Sequence, residues 1–263
     1  MPGMDDAYAN AAYIEGAAAY PARWDAAAAA FRESLGARAE TGLRYGPSDR
    51  QLFDLFHPEG EPLGLLIFVH GGYWLRFDRT TWSHFAAGAL AQGWAVAMPS
   101  YDLCPDVRIA GITQQIAQAV QAIAARVPGP ISLAGHSAGG HLVARMCAPG
   151  MLPAAVMSRV FHVMPISPLS DLEPLIQTTM NDDFRMDADM ARAESPMLQP
   201  APKVAVTVWV GGDERPAFLD QAMWLVDAWS CGEVVAPGLH HFDVIDALAD
   251  PDSDMIKRLT GAA

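Results

Sequence analysis

At 263 residues, 51% of them apolar, the chain is long enough to bury a full core and falls within the size range of one domain. Seventeen Lys and Arg against thirty Asp and Glu give a formal net charge of -13, and the cations are scattered. That balance excludes nucleic acid, which needs a clustered basic footprint. Cys104, Cys147 and Cys231 are odd in number and lack a CxxC spacing, so they read as core thiols of a reduced compartment.

The opening residues Met1-Pro2-Gly3-Met4-Asp5-Asp6 carry neither a basic nor an apolar segment, so the expectation is a cytosolic (cytoplasmic) protein without an export signal. The most apolar stretch, residues 63–69, falls far short of the roughly 20 residues that cross a bilayer, and no membrane role follows. An Ala-rich segment, residues 6–35, reads as helices broken near Gly16 and Pro21 and forms an N-terminal arm within residues 1–37. Two strands, 39–45 and 51–56, follow as an antiparallel pair.

From residue 63 short apolar runs alternate with helical stretches. The runs are 65–69, 94–99 and 131–134, and the helices are 80–92, 107–126 and 139–148. This rhythm predicts a mostly parallel central sheet with helices on both faces. After a further run, 160–166, the rhythm stops. Residues 167–202 are polar and Pro-punctuated, a cap-like insertion of the kind that covers or lines a site. Strand 204–210, helix 216–229, strand 233–236 and a last helical region, 242–259, complete one domain over residues 1–263.

The chemistry-bearing segments all fall where strands end, the place at which open α/β sheets collect ligands. Gly135-His136-Ser137-Ala138-Gly139 lies between an apolar strand and a helix, the setting of a nucleophile elbow. Its glycines allow a strained turn that exposes the Ser137 hydroxyl. Outside that setting the pattern is only a Gly-rich turn. His70-Gly71-Gly72-Tyr73-Trp74 also follows a strand. There the N–H groups of Gly71 and Gly72, with that of Ala138, can surround an oxyanion, and His70 serves as a brace for the loop.

Of eight histidines, His57, His84, His136, His141 and His162 fall in turns, helices, the elbow or an apolar strand. His240 and His241 follow the last strand, where the base of a Ser, acid, His order belongs, and His241 directly precedes the final helical region. The acid comes from Gly211-Gly212-Asp213-Glu214-Arg215-Pro216, where Asp213 and Glu214 stand side by side and spacing does not separate them. The acid left over is a favourable charge at a helix start.

These residues resemble the kynurenine formamidase (arylformamidase) branch of the α/β-hydrolases, close to hormone-sensitive-lipase-like esterases. The likeness covers nearly the whole chain. It rests on Tyr20-Pro21-Ala22-Arg23-Trp24, on His70-Gly71-Gly72-Tyr73-Trp74, and on Pro99-Ser100-Tyr101-Asp102-Leu103-Cys104-Pro105. Gly135 to Leu142, Pro216-Ala217-Phe218 and His241-Phe242 complete it. HGGYW is the more specific motif, since HGG alone is shared with many esterases.

The resemblance implies the α/β-hydrolase fold and a serine hydrolase cleaving a small aryl formamide or ester, with no metal or organic cofactor. It places the acid two residues before Pro216, at Glu214, where many members carry Asp. It also implies an aromatic-lined pocket to which Tyr73, Trp74 and Tyr101 are candidates, plain core packing being the other role for each. The expected partner is a small-molecule substrate. The arm either closes over the site or packs against a partner subunit in a homodimer. Two other readings remain beside it: a general carboxylesterase or amidase, and an α/β-hydrolase that only binds a ligand.

Overall fold

The computed structural model describes residues 3–262. The reading of the N-terminus as free of an export signal rests partly on Met1 and Pro2, which lie outside the described residues. Among the described residues eight strands form one sheet: β1 (Ala39–Arg44), β2 (Leu52–Phe56), β3 (Leu65–Val69), β4 (Ala95–Pro99), β5 (Ile131–His136), β6 (Val160–Ile166), β7 (Ala205–Gly211) and β8 (Gly232–Ala236). Their order is β1-β2-β4-β3-β5-β6-β7-β8. β1 pairs with β2, and β2 with β4, antiparallel; every pairing from β4 through β8 is parallel.

The central strands are apolar because helices cover both of their faces. β3 reads Leu-Leu-Ile-Phe-Val and is buried at every position. The twofold alternation of a strand divides it between two cores. Leu65, Ile67 and Val69 join the core that also receives the helices Ile109–Ala124, Ala138–Arg145 and Pro216–Trp229. Leu66 and Phe68 join the other, with the helices Tyr20–Leu35 and Asp254–Thr260.

The structure corrects several expected elements. Pro21 does not break the arm. It occupies the first turn of Tyr20–Leu35, where its missing N–H has no intrahelical bond to lose, whereas Gly16, at φ 70°, does separate the 3-10 turns Ala11–Tyr13 and Ala17–Ala19. The expected helix 80–92 is two 3-10 turns, Arg79–Thr81 and Ser83–Ala86, before a short helix Ala87–Ala91. Thr80, Thr81 and Trp82 are weak helix formers, and Asp78 caps the first turn by accepting from Thr80 N. The last helical region is split near Pro251 into a 3-10 turn, Asp246–Ala249, and the helix Asp254–Thr260, capped by Ser253. Among the described residues no helix is long and apolar enough to cross a membrane.

Residues 167–202 pack down rather than over. Leu172, Leu175, Phe184 and Ala191 are buried, and the backbone N–H groups of Ser170 and Asp171 both donate to Gln221 Oε1 at 2.7 Å. Glu194 accepts from Thr113 at 2.7 Å and pairs with Arg145 at 3.2 Å. The segment is thereby tied to three of the covering helices.

One close approach positions everything at the end of the sheet. The helix Ala138–Arg145 lies directly on the strands: a Cβ on Gly139 would fall 1.9 Å from the Val69 carbonyl oxygen, and one on Gly135 would fall 2.2 Å from that of Gly139. Gly139→Ala should therefore cost about 3 kcal/mol or more, since backbone on both sides must shift. At Gly150, where φ is 79° but the space is open, alanine should cost only about 1–2 kcal/mol. Chemical denaturation of the two variants measures the contrast, and equal losses would show that the contact is not tight.

Candidate active site

Ser137 occupies the turn between β5 and the helix Ala138–Arg145 with φ 56° and ψ -118°. Positive φ is unfavourable for a residue with a Cβ and survives only where the surroundings hold it. They do so here through the Ser137 N–H, which donates to Ile166 O at 2.8 Å, and through the glycines that bring the helix onto β3. Ala138 opens the helix, so its N–H has no intrahelical acceptor.

His241 follows β8 and Glu214 follows β7, as the chain order requires. His241 Nδ1 donates to Glu214 Oε2 at 2.6 Å, with 4% of His241 and 7% of Glu214 exposed. The other carboxylate oxygen accepts from Gly211 N at 2.9 Å and from the Ser167 hydroxyl. Asp213, one residue earlier, is exposed, with its N–H spent on Leu239 O. The turn therefore selects Glu214 as the partner of His241. Ser167 is a support that the sequence did not reveal.

His240 points elsewhere. It pairs with Asp243 at 3.0 Å and approaches the Tyr20 hydroxyl at 3.3 Å. His136 Nε2 donates to the His241 carbonyl at 2.8 Å, and the His136 and Phe218 rings lie 4.6 and 4.3 Å from the His241 ring. These contacts fix the imidazole from three sides. Among the described residues no hydrogen bond engages the Ser137 hydroxyl or His241 Nε2, and both residues line the same cavity.

Ser137 and His241 open into a cavity of about 740 Å³, which Gly72 and Tyr73 also line. Gly71 lies just behind it, where a Cβ would come within 3.0 Å of Ser137 Cβ. Trp74 and Tyr101 do not line it, which corrects their expected place in the pocket. Trp74 is fully buried, with its ring edge-on to His141 and Phe184 at 5.1 and 5.6 Å. Tyr101 stacks on His70 at 4.4 Å and donates to the His70 carbonyl at 2.9 Å, while His70 Nδ1 donates to Gly71 O at 2.8 Å. Tyr101 thus holds the His70–Gly72 loop and Trp74 packs in the core, and neither faces the cavity.

The roof comes from the arm, through Tyr8, Asn10, Pro21 and Trp24, and the far wall from Phe77, Trp82 and Phe242. The insertion contributes Thr179 and Met180, so of the two roles expected of it, covering or lining, it lines the site. Nothing in the sequence ranked the arm above the insertion as a cover, although Tyr20-Pro21-Ala22-Arg23-Trp24 marked the arm as a conspicuous segment.

The family profile for the alpha/beta hydrolase fold matches residues 66–215, which hold the Gly-Gly loop, the elbow and Glu214. The chain belongs to the α/β-hydrolase family. It is similar to the kynurenine formamidases of Salmo salar and Drosophila melanogaster, 26% and 27% identical over 233 and 240 residues, with 82% of this chain and 79% of each relative covered. A crystal structure from Silicibacter sp. tm1040, described provisionally as a thioesterase, superposes with a TM-score of 0.97 at 63% identity over 98% of both chains. Inhibited esterase B from Lactobacillus rhamnosis shares the fold at a TM-score of 0.68 and 21% identity, over 92% of each chain.

Burial keeps three histidines around this hydrolase's site neutral: His70 and His141 are lowered to about 4 and His136 well below its ordinary value. In the unfolded chain each titrates near 6.5, so between pH 6.5 and 4 the unfolded state binds more protons. Stability is then complete above pH 6.5 and declines as pH falls. Denaturant unfolding between pH 7.5 and 5 should show a slope of at least about 1.4 kcal/mol per pH unit at the acid end, one proton's worth. A flat profile would contradict the buried neutral state.

Proposed function

We propose that this hydrolase cleaves small N-aryl formamides of the N-formylkynurenine type through a formyl-enzyme on Ser137. The observation that carries the serine mechanism is the 2.6 Å bond from His241 to buried Glu214, beside a serine held at positive φ. His241 Nε2 takes the Ser137 hydroxyl proton as Oγ attacks the formyl carbon. Glu214 holds the imidazole in the required tautomer and stabilises its cation. The N–H groups of Gly71, Gly72 and Ala138 receive the oxyanion, each worth roughly 3–4 kcal/mol in the barrier by analogy with single donors elsewhere. The intermediate collapses as His241 returns the proton to the departing arylamine. Water, deprotonated by the same histidine, then releases formate and restores Ser137.

The aromatic rings of the far wall, with Trp24 of the roof, support the aryl part of this reading. Trp24 and Trp82 lie 4.8 Å apart between ring centroids, with Phe242 at 5.4 Å from Trp24 and Phe77 at 5.4 Å from Trp82. Flat apolar faces of this kind suit an aromatic ring. The likeness to formamidases favours the formyl group. A thioester substrate is the second reading, favoured by the description of the Silicibacter relative. The proposal includes a cytosolic location, supported by three unbridged cysteines.

Purified enzyme assayed with N-formylkynurenine, a p-nitrophenyl ester and an acyl thioester should show the highest kcat/KM on the formamide; no turnover of it beside efficient ester or thioester cleavage would overturn the substrate class. Ser137→Ala should abolish fluorophosphonate labelling, and labelling that persists would remove Ser137 as nucleophile. Glu214→Gln should lower kcat on the order of 10⁴-fold, and Asp213→Asn should stay near wild type.

A further inference from the structure

Three successive residues of the loop after β3, Gly72, Tyr73 and Trp74, have φ of 107°, 54° and 56°. Glycine adopts such values freely, but Tyr73 and Trp74 carry a Cβ and hold them only where other contacts oblige them to. The Gly71 and Gly72 N–H groups belong to the same loop, so whatever holds it decides where they point.

The loop is anchored on both sides of Tyr73. Before it, Tyr101 clamps His70. After it, the Trp74 ring packs in the core, Cys104 N donates to Trp74 O at 2.8 Å, and Leu75 N and Arg76 N donate to Gly72 O at 3.0 and 3.1 Å. Among the described residues Tyr73 itself makes one side-chain hydrogen bond, from its hydroxyl to Tyr8 O in the arm at 2.7 Å. Burial pushes the phenol well above its ordinary pKa, so it stays a donor at neutral pH. The acceptor is fixed in turn. Tyr8 Oη accepts from Gln221 at 2.8 Å, the Tyr8 ring meets Phe218 edge-on at 5.9 Å, and Asp5 and Asp6 tie the preceding residues to Thr179 and Arg215 at 2.7 and 3.0 Å. Releasing the hydroxyl would let Tyr73 return towards negative φ and turn the peptide that it shares with Gly72.

We infer that Tyr73 is a positioning residue for the oxyanion site: the bond from its hydroxyl to the Tyr8 carbonyl keeps the loop in the strained conformation that aims the Gly71 and Gly72 N–H groups at the developing charge. The arm then serves the chemistry through one main-chain oxygen, besides roofing the cavity. The inference rests on Gly71 and Gly72 being oxyanion donors to an intermediate on Ser137, and not on the acyl group being formyl.

Tyr73→Phe keeps the ring and removes only this bond. Ser132→Ala is the matched control. It removes a buried hydroxyl that likewise donates to a backbone carbonyl, Leu259 O at 2.6 Å, and Ser132 lies five residues, or about 16 Å of extended chain, before Ser137. Both variants should lose about 2–4 °C of melting temperature. With p-nitrophenyl acetate, Tyr73→Phe should lower kcat roughly tenfold or more while KM stays within about twofold, and Ser132→Ala should keep the wild-type kcat. An aryl trifluoromethyl ketone, whose carbonyl carbon bonds to Ser137 Oγ as the serine proton passes to His241, should bind Tyr73→Phe more weakly by a similar factor. A raised KM with kcat retained would make Tyr73 a substrate contact, and an equal loss of kcat in Ser132→Ala would reduce both bonds to fold stability; either result overturns the inference. Equal ketone binding by wild type and Tyr73→Phe would overturn it alone, whereas no binding by wild type would remove the oxyanion reading with it.

Discussion

The helix that begins at Ala138 lies against β3, β5 and β6 with no space for a side chain at the glycines of the turn. A Cβ would meet backbone at Gly135, Gly139 and Gly140 alike, the last 2.9 Å from Ile166 O. This contact forces the chain to reverse within a residue or two of the strand end. Ser137 is therefore left at positive φ at the edge of the sheet. The same contact brings Gly71 up behind the serine and sets the distance across which β8 must deliver His241. Because backbone rather than side chain makes the contact, little local adjustment is available.

Around that turn the molecule invests in holding aromatic and imidazole rings. His70 is clamped by Tyr101, His136 by the His241 carbonyl, and His141 by the Glu194 carbonyl at 2.8 Å. All three are buried and uncharged, so they act as rigid hydrogen-bond donors rather than proton carriers. His241 differs in having a buried carboxylate at one nitrogen and an open second nitrogen. The difference between a structural and a chemically available histidine is thus one of partners, not of sequence position alone.

The arm and the insertion share the lining of the cavity unequally, and the arm supplies most of it. Residues 167–202 look like a cover because they are polar and irregular, but their apolar residues find the core beside the helix Pro216–Trp229. The arm reads as Ala-rich helices, and Asp5, Asp6, Tyr8 and Tyr20 anchor it to Thr179, Arg215, Tyr73 and His240, in segments that follow four different strands. Its small side chains leave the cavity open beneath it. Which of two surface segments becomes a roof depends on contacts made by residues far away in the chain, such as Arg215 and Gln221, and no local pattern carries them.

By itself the sequence determined the sheet-and-helix rhythm, the elbow and the late histidine, because strand alternation, strand-to-helix turns and glycine requirements are local physics written into neighbouring residues. Spacing left Asp213 and Glu214 equal and resemblance alone favoured Glu214; the tertiary structure separates them, since one faces solvent and the other bonds to His241 across a turn that Leu239 must close. It also withdrew Trp74 and Tyr101 from the pocket. An aromatic residue after a strand can pack inward or outward, and the choice belongs to the residues that meet it, here Phe184, His141 and His70.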